Sequence, residues 1–195
     1  MSILGGVAEV LNELHHAWAL IGGLAVSVRV EPRTTRDVDI AVAVADDAAA
    51  ESLIHDLVLR GYQVHAALEQ RTSGRLATIR LTPYGQDPEA GIVVDLLFAS
   101  SGIESEVVAA AEEIEIQQGL TVPVARAGHL VAMKLLSASP QRPDDARDLI
   151  FLLRDISPAE LRRARDAIAL VEQRRYNRGT SLGALLDDIL AGRGI

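Results

Sequence analysis

Residues 21–42 read IGGLAVSVRVEPRTTRDVDIAV: Ile21-Gly22-Gly23, then thirteen residues, then Asp37-Val38-Asp39-Ile40. Side chains alternate along a strand, so Asp37 and Asp39 share a face, their carboxylates about 6–7 Å apart. Two divalent ions held about 3.5–4 Å from each other can be clamped at such a separation. Magnesium takes hard oxygen ligands and shares its shell with phosphate and water. Gly22 and Gly23 lack β-carbons and let the backbone approach a ligand, and the N-terminus of the helix that follows favours a phosphate. A third acid stands alone in a second apolar run, Val93-Val94-Asp95-Leu96-Leu97. Three carboxylates on two buried strands are costly unless a cation or base accompanies them. A Gly-Gly turn alone is usually structural, and Asp-x-Asp alone is often a cap or an exposed edge. Their combination at this spacing, with Asp95 downstream, points to a nucleoside triphosphate held on magnesium, with manganese as a substitute.

Working outward, residues 3–15 read as a helix with Leu4, Val7, Val10, Leu11 and Leu14 on one face. Trp18 to Ile21 reads as a short strand, 24–30 as a helix ending before Pro32, and Asp37 to Val44 as a central strand. Asp46 or Asp47 caps a helix running to Arg60, which Gly61 stops. Strands are expected at 62–66, 76–81 and 92–98, a short helix at 104–111, and strands at 113–117 and 120–124. After Ala125 the pattern is helical: 127–138, 143–154, 158–175 and 181–191. Ser157-Pro158-Ala159-Glu160 carries the signature of a capped helix start. The expected fold is α/β (α+β): a mixed central sheet with packed helices over residues 1–125, then a helical region, 126–195, that completes the active-site cleft.

The chain has 195 residues, 49% hydrophobic but only 3% aromatic, so its core is packed from Leu, Ile, Val and Ala. It contains no cysteine, which excludes disulfides and thiolate metal sites and suits a reducing cytoplasm. No signal peptide and no apolar run long enough to span a membrane are visible, so a soluble cytoplasmic protein is expected. A net charge of −8 argues against a broad nucleic-acid surface. Residues 154–178 nevertheless hold seven arginines against four acids, either a solvated helix face or a small basic patch. Of the 19 basic residues only Lys134 is lysine. Lys134 follows Leu130 and Val131 by four and three positions, which sets it on the apolar side of its helix, where it must snorkel or meet an anion. Asp145 and Asp148, about one turn apart on the next helix, are positioned to orient it or to contact ribose and base. An ordinary salt bridge between helices is the alternative.

These residues resemble the nucleotidyltransferase superfamily of the DNA polymerase β type, whose signature is h-G-[GS], a spacer, D-h-[DE]-h and a later acid on a strand. Arg33-Thr34-Thr35-Arg36-Asp37-Val38-Asp39 also resembles the R-x-T-x-D-[IV]-D form of the AbiEii/MenT-like branch, nucleotidyltransferase toxins of toxin–antitoxin and abortive-infection systems. His129 to Leu136 is similar to that branch's lysine-bearing helix, and Gln141 to Leu149 to its R-x-K-D-x-x-D segment, with Asp144 where the family usually has lysine. The motifs reach from about 18 to 153.

The resemblance implies transfer of a nucleoside monophosphate from a triphosphate to an acceptor hydroxyl, with the 3′ end of RNA or tRNA as the expected acceptor and an antitoxin as partner. Asp37, Asp39 and Asp95 would hold the metals, and Asp95 would orient the acceptor or take its proton. Gly22, Gly23, Lys134, Arg33 and Thr35 would bind the triphosphate, with Asp145 and Asp148 beside them. Arg33 can equally balance charge and Thr35 can be a plain turn residue. A small-molecule nucleotidyltransferase of the aminoglycoside-modifying kind and a non-catalytic nucleotide-binding module are the alternatives. The five histidines show no metal-ligand spacing, and Ser27 has no histidine partner in sequence.

Overall fold

A computed structural model describes residues 2–30, 37–70, 73–83, 91–139 and 143–193. Arg33 and Thr35 lie outside the described residues. The elements are α1 (Ile3–Glu13), β1 (Trp18–Leu20), α2 (Gly22–Arg29), β2 (Asp37–Val42), α3 (Asp47–Leu59), β3 (Tyr62–Glu69), β4 (Leu76–Pro83) and β5 (Val93–Leu97). Then come α4 (Glu104–Ala109), β6 (Glu112–Gln117), β7 (Leu120–Val124), α5 (Ala127–Ser137), α6 (Pro143–Arg154), α7 (Pro158–Gln173) and α8 (Leu182–Leu190). Every expected element is present, with shifted ends: β3 continues three residues beyond 66, and α2 begins at Gly22 rather than at 24.

The strands form one mixed sheet in the order β3-β4-β5-β2-β1-β7-β6. β2 runs parallel to β5, with Asp39 paired to Asp95, and antiparallel to β1. β4 lies antiparallel to β5, with Arg80 opposite Asp95. The inner strands are apolar because helices cover them: Val38, Ile40, Ala41, Val42, Val94 and Leu96 are buried. α1 adds Leu4, Val7, Ala8 and Leu11 to the core, and its Ser2 cap accepts from the Gly5 N–H at 3.1 Å. Asp46 caps α3 at the Ala49 N–H (2.9 Å), and Gly61 has the left-handed φ of +91° that its stop signal requires.

Beyond the sheet, α5 is the hub, packing on α2, α6, α7 and α8. Gly128 allows this, since a Cβ there would lie 2.4 Å from the Glu160 carbonyl oxygen on α7. Ser157 caps α7, accepting from the Glu160 N–H at 3.2 Å. Glu160 Oε2, however, accepts from Gly128 N at 2.7 Å on α5. The capping glutamate thus ties two helix starts together. No helix among the described residues is long and apolar enough to cross a membrane.

Candidate active site

β1 ends at Leu20 and the chain turns at once into α2, with Ile21 N–H donating to the Asp39 carbonyl at 2.9 Å. That bond ties the glycine turn to the acid strand. Gly22 has φ +65°, and a Cβ on it would lie only 1.9 Å from Asp39 Oδ2. Glycine is therefore required twice, for its backbone conformation and for the space the carboxylate occupies. No side chain among the described residues caps α2, so its first-turn N–H groups are left to solvent or to a ligand. Ser27 Oγ donates to the Gly23 carbonyl at 3.0 Å, an ordinary intrahelical bond.

Asp37, Asp39, Asp95, Gly22 and Gly23 line one cavity of about 830 Å³, facing Lys134, Ser137, Asp144 and Asp145 from the helical half. Arg80 and Arg178 line it too. Asp39 has its pKa raised to about 6, first by burial, then by the charges of Asp95 and Asp37, against the opposing fields of Lys134 and Arg80. The acid patch is thus short of positive charge.

Lys134 is buried, and its Nζ reaches Asp145 Oδ1 at 2.6 Å and Asp148 Oδ2 at 2.8 Å. The expected anionic partners are both present. Asp145 lines the cavity, whereas Asp148 is wholly buried and outside its lining, so it reaches the site only through Lys134. Arg80 is the residue that sequence reasoning missed: its Nε and Nη2 donate to Asp95 Oδ1 and Oδ2 at 2.9 and 2.6 Å. An arginine alternating with Ile79 and Leu81 in the run LATIRL was the available signal. Of the 154–178 arginines, four are ion-paired: Arg154 with Asp155, Arg163 with Glu160, Arg165 with Asp187 and Arg174 with Glu106. Arg178 is exposed at the cavity.

The donor set suits a divalent metal. Its acids are hard oxygen ligands, and Asp39 is destabilised as an anion. Among the described residues no group of three or more His, Cys, Asp or Glu side chains is gathered so as to hold a metal ion by itself. Such a site leaves positions for phosphate oxygens and water, as magnesium sites do.

An uncapped glycine turn, acids paired across parallel strands and a facing lysine, on a mixed sheet backed by helices, are arranged as the resemblance to nucleotidyltransferases implies. The sequence matches the family described as nucleotidyl transferase AbiEii toxin, type IV TA system, over residues 7–192, and the chain belongs to that family. The match includes α7 and α8, beyond the motifs legible in sequence. No curated protein matches the chain. Among solved structures, an antigenic nucleotidyltransferase-like protein from Paracoccidioides brasiliensis is similar at 17% identity and TM-score 0.54, covering 93% of this chain and 91% of that one. ANT(2")-Ia in complex with adenylyl-2"-tobramycin is similar at 13% identity and TM-score 0.54, covering 91% of this chain and 97% of that one. Both likenesses are of fold.

Proposed function

We propose that this nucleotidyltransferase moves a nucleoside monophosphate from a nucleoside triphosphate to a 3′-hydroxyl of RNA, with tRNA as the favoured acceptor. The observation that carries the reaction type is the register that sets Asp39 beside Asp95, with Gly22 against Asp39 and Lys134 across the cavity. The acceptor oxygen bonds to the α-phosphorus, the bond from that phosphorus to the bridging oxygen breaks, and pyrophosphate leaves. Asp37 and Asp39 would hold magnesium, with Asp95 as the third acid. When bound, the metal neutralises the triphosphate and the charge developing on the leaving oxygen.

The chain's own residues supply position. The Gly22-Gly23 turn and the start of α2 receive phosphate oxygens. Lys134, braced by Asp145 and Asp148, holds an ammonium at a fixed point of the opposite wall. Asp95 would orient the acceptor hydroxyl or take its proton. Arg33 and Thr35 are proposed as further triphosphate contacts. The division at residue 125 is functional on this reading: the sheet half brings acids and glycines, and the helical half brings Lys134 and Asp145. On this reading the protein works in the cytoplasm with an antitoxin as its counterpart, and the family's toxin–antitoxin description supports the antitoxin.

A small-molecule acceptor is the second reading, favoured by the cavity's charge. Among the described residues five acids line it (Asp37, Asp39, Asp95, Asp144, Asp145) against three cations (Arg80, Lys134, Arg178). Incubation with each α-labelled triphosphate, magnesium and total tRNA tests the proposal. Label on tRNA with wild type, lost in Asp39→Ala, is expected. Equal labelling by both proteins sinks the metal assignment, and no labelled RNA with any triphosphate sinks the RNA acceptor.

A further inference from the structure

Asp95 is asked to serve as the third acid, yet both of its oxygens are already taken. Arg80 stands opposite it on the antiparallel neighbour, and the guanidinium grips the carboxylate as a two-pronged fork at 2.9 and 2.6 Å. A carboxylate held this way offers a poor ligand face. The two partners differ in freedom: the Asp95 side chain is 11% exposed and that of Arg80 is 46% exposed. Asp95 is walled in by its strand, whereas the guanidinium borders the open cavity and has somewhere to go.

We propose that Arg80 is a stand-in cation, holding Asp95 in the nucleotide-free protein and displaced from at least one of its oxygens when the metal–triphosphate complex loads. The inference rests on the metal reading of Asp37, Asp39 and Asp95. Among the described residues, Lys134 and Arg80 are the cations whose fields offset the charge at Asp39. Lys134 is committed to Asp145 and Asp148, so of these two the movable positive charge is that of Arg80. An arginine stays protonated at any working pH, so it leaves a carboxylate by exchange with another cation, not by losing its proton. Freed from Asp95, its planar fork matches the oxygens of the arriving phosphate. Arg80 is thus a positioning residue, which keeps the acid patch folded while empty and makes metal entry conditional on the triphosphate's own metal.

Manganese binding to the nucleotide-free protein, read by electron paramagnetic resonance of the free ion, is the test. Arg80→Gln is expected to bind Mn2+ at least about tenfold more tightly than wild type, the low end of what close charge pairs are worth. Arg80→Lys, which keeps the charge but loses the fork, should fall between them. Asp39→Asn in the Arg80→Gln background should abolish the gain. Mn2+ should also raise the melting temperature of Arg80→Gln more than that of wild type. Should Arg80→Gln fail to fold, the Lys variant alone decides, and an affinity equal to wild type overturns the proposal. Unchanged affinity in both Arg80 variants, with binding still weakened by Asp39→Asn, likewise overturns it and leaves the metal site standing. Binding indifferent to Asp39→Asn overturns the metal reading and Arg80's role with it.

Discussion

Gly22 is where a single atom matters most. A methyl group there would collide with Asp39 Oδ2, and its backbone φ of +65° disfavours any side chain. Gly22→Ala should therefore cost about 1–2 kcal/mol in backbone strain alone and push Asp39 off its position. The expected result is nucleotidyl transfer reduced by about two orders of magnitude, the scale on which a slight misplacement acts, in a protein that still melts cooperatively. Transfer kinetics beside a thermal melt check it, and near-normal turnover would mean that Asp39 is not positioned by this turn. Lys134 differs, because it serves packing and site together. Lys134→Met would strand two acids around a vanished charge, one of them wholly buried, and should cost about 3–5 kcal/mol in urea unfolding. Lys134→Arg should not restore function, because a planar fork cannot replace a compact ammonium 2.6 and 2.8 Å from two carboxylates on one helix.

At the scale of elements, α5 carries a second buried polar group. His129 is packed under the helices, with no hydrogen-bond partner for Nδ1 among the described residues. Burial first, then the Arg163 charge, lowers its pKa from 6.5 to about 4. The unfolded chain binds this proton below about pH 6.5 and the folded chain only below about 4. Stability from His129 is therefore full above pH 6.5 and lost as pH falls to 4, up to about 3 kcal/mol. Asp39, with its pKa raised to about 6, acts in the opposite sense over the same window, since its folded form takes up the proton first. Comparing wild type with His129→Leu isolates the histidine: the difference in unfolding free energy should shrink toward acid. A difference that stays constant from pH 7 to 4 would show that His129 does not titrate with unfolding. Such elements show what sequence could tell. Helices and strands were legible because apolar spacing and caps such as Asp46 and Ser157 are local. The Asp37–Asp39 pair was legible for the same reason. Arg80 on Asp95, Glu160 on Gly128, Arg165 on Asp187 and Arg174 on Glu106 were not, because each joins residues 15 to 68 positions apart on different elements, and no periodicity encodes that.

The whole molecule bears on the acceptor through charge. A chain of net charge −8 can hold RNA only through a local group of cations, and the arginine-rich C-terminal helices are the evident source. Four of those arginines are already ion-paired on the protein, however, and each would have to exchange a carboxylate for a phosphate with little gain. Arg178 at the cavity is one of the few left for the task. The number of phosphates neutralised, which sets the salt dependence, should accordingly be small. For a single-stranded acceptor end, two or three contacts give a log–log slope of about −1.5 to −2. Measured on the KM for tRNA between 50 and 200 mM salt, that is a loss of about tenfold, where six to ten contacts would give about 10³–10⁵. Arg178→Ala should flatten the slope by about one contact and act mainly on KM, because a contact made equally in the ground and transition states changes occupancy rather than the barrier. A slope near −5 would mean that RNA lies on a surface other than this cleft and its C-terminal wall. A slope of zero, with tRNA labelling no faster than that of a neutral alcohol, would transfer the acidic cavity to a small acceptor.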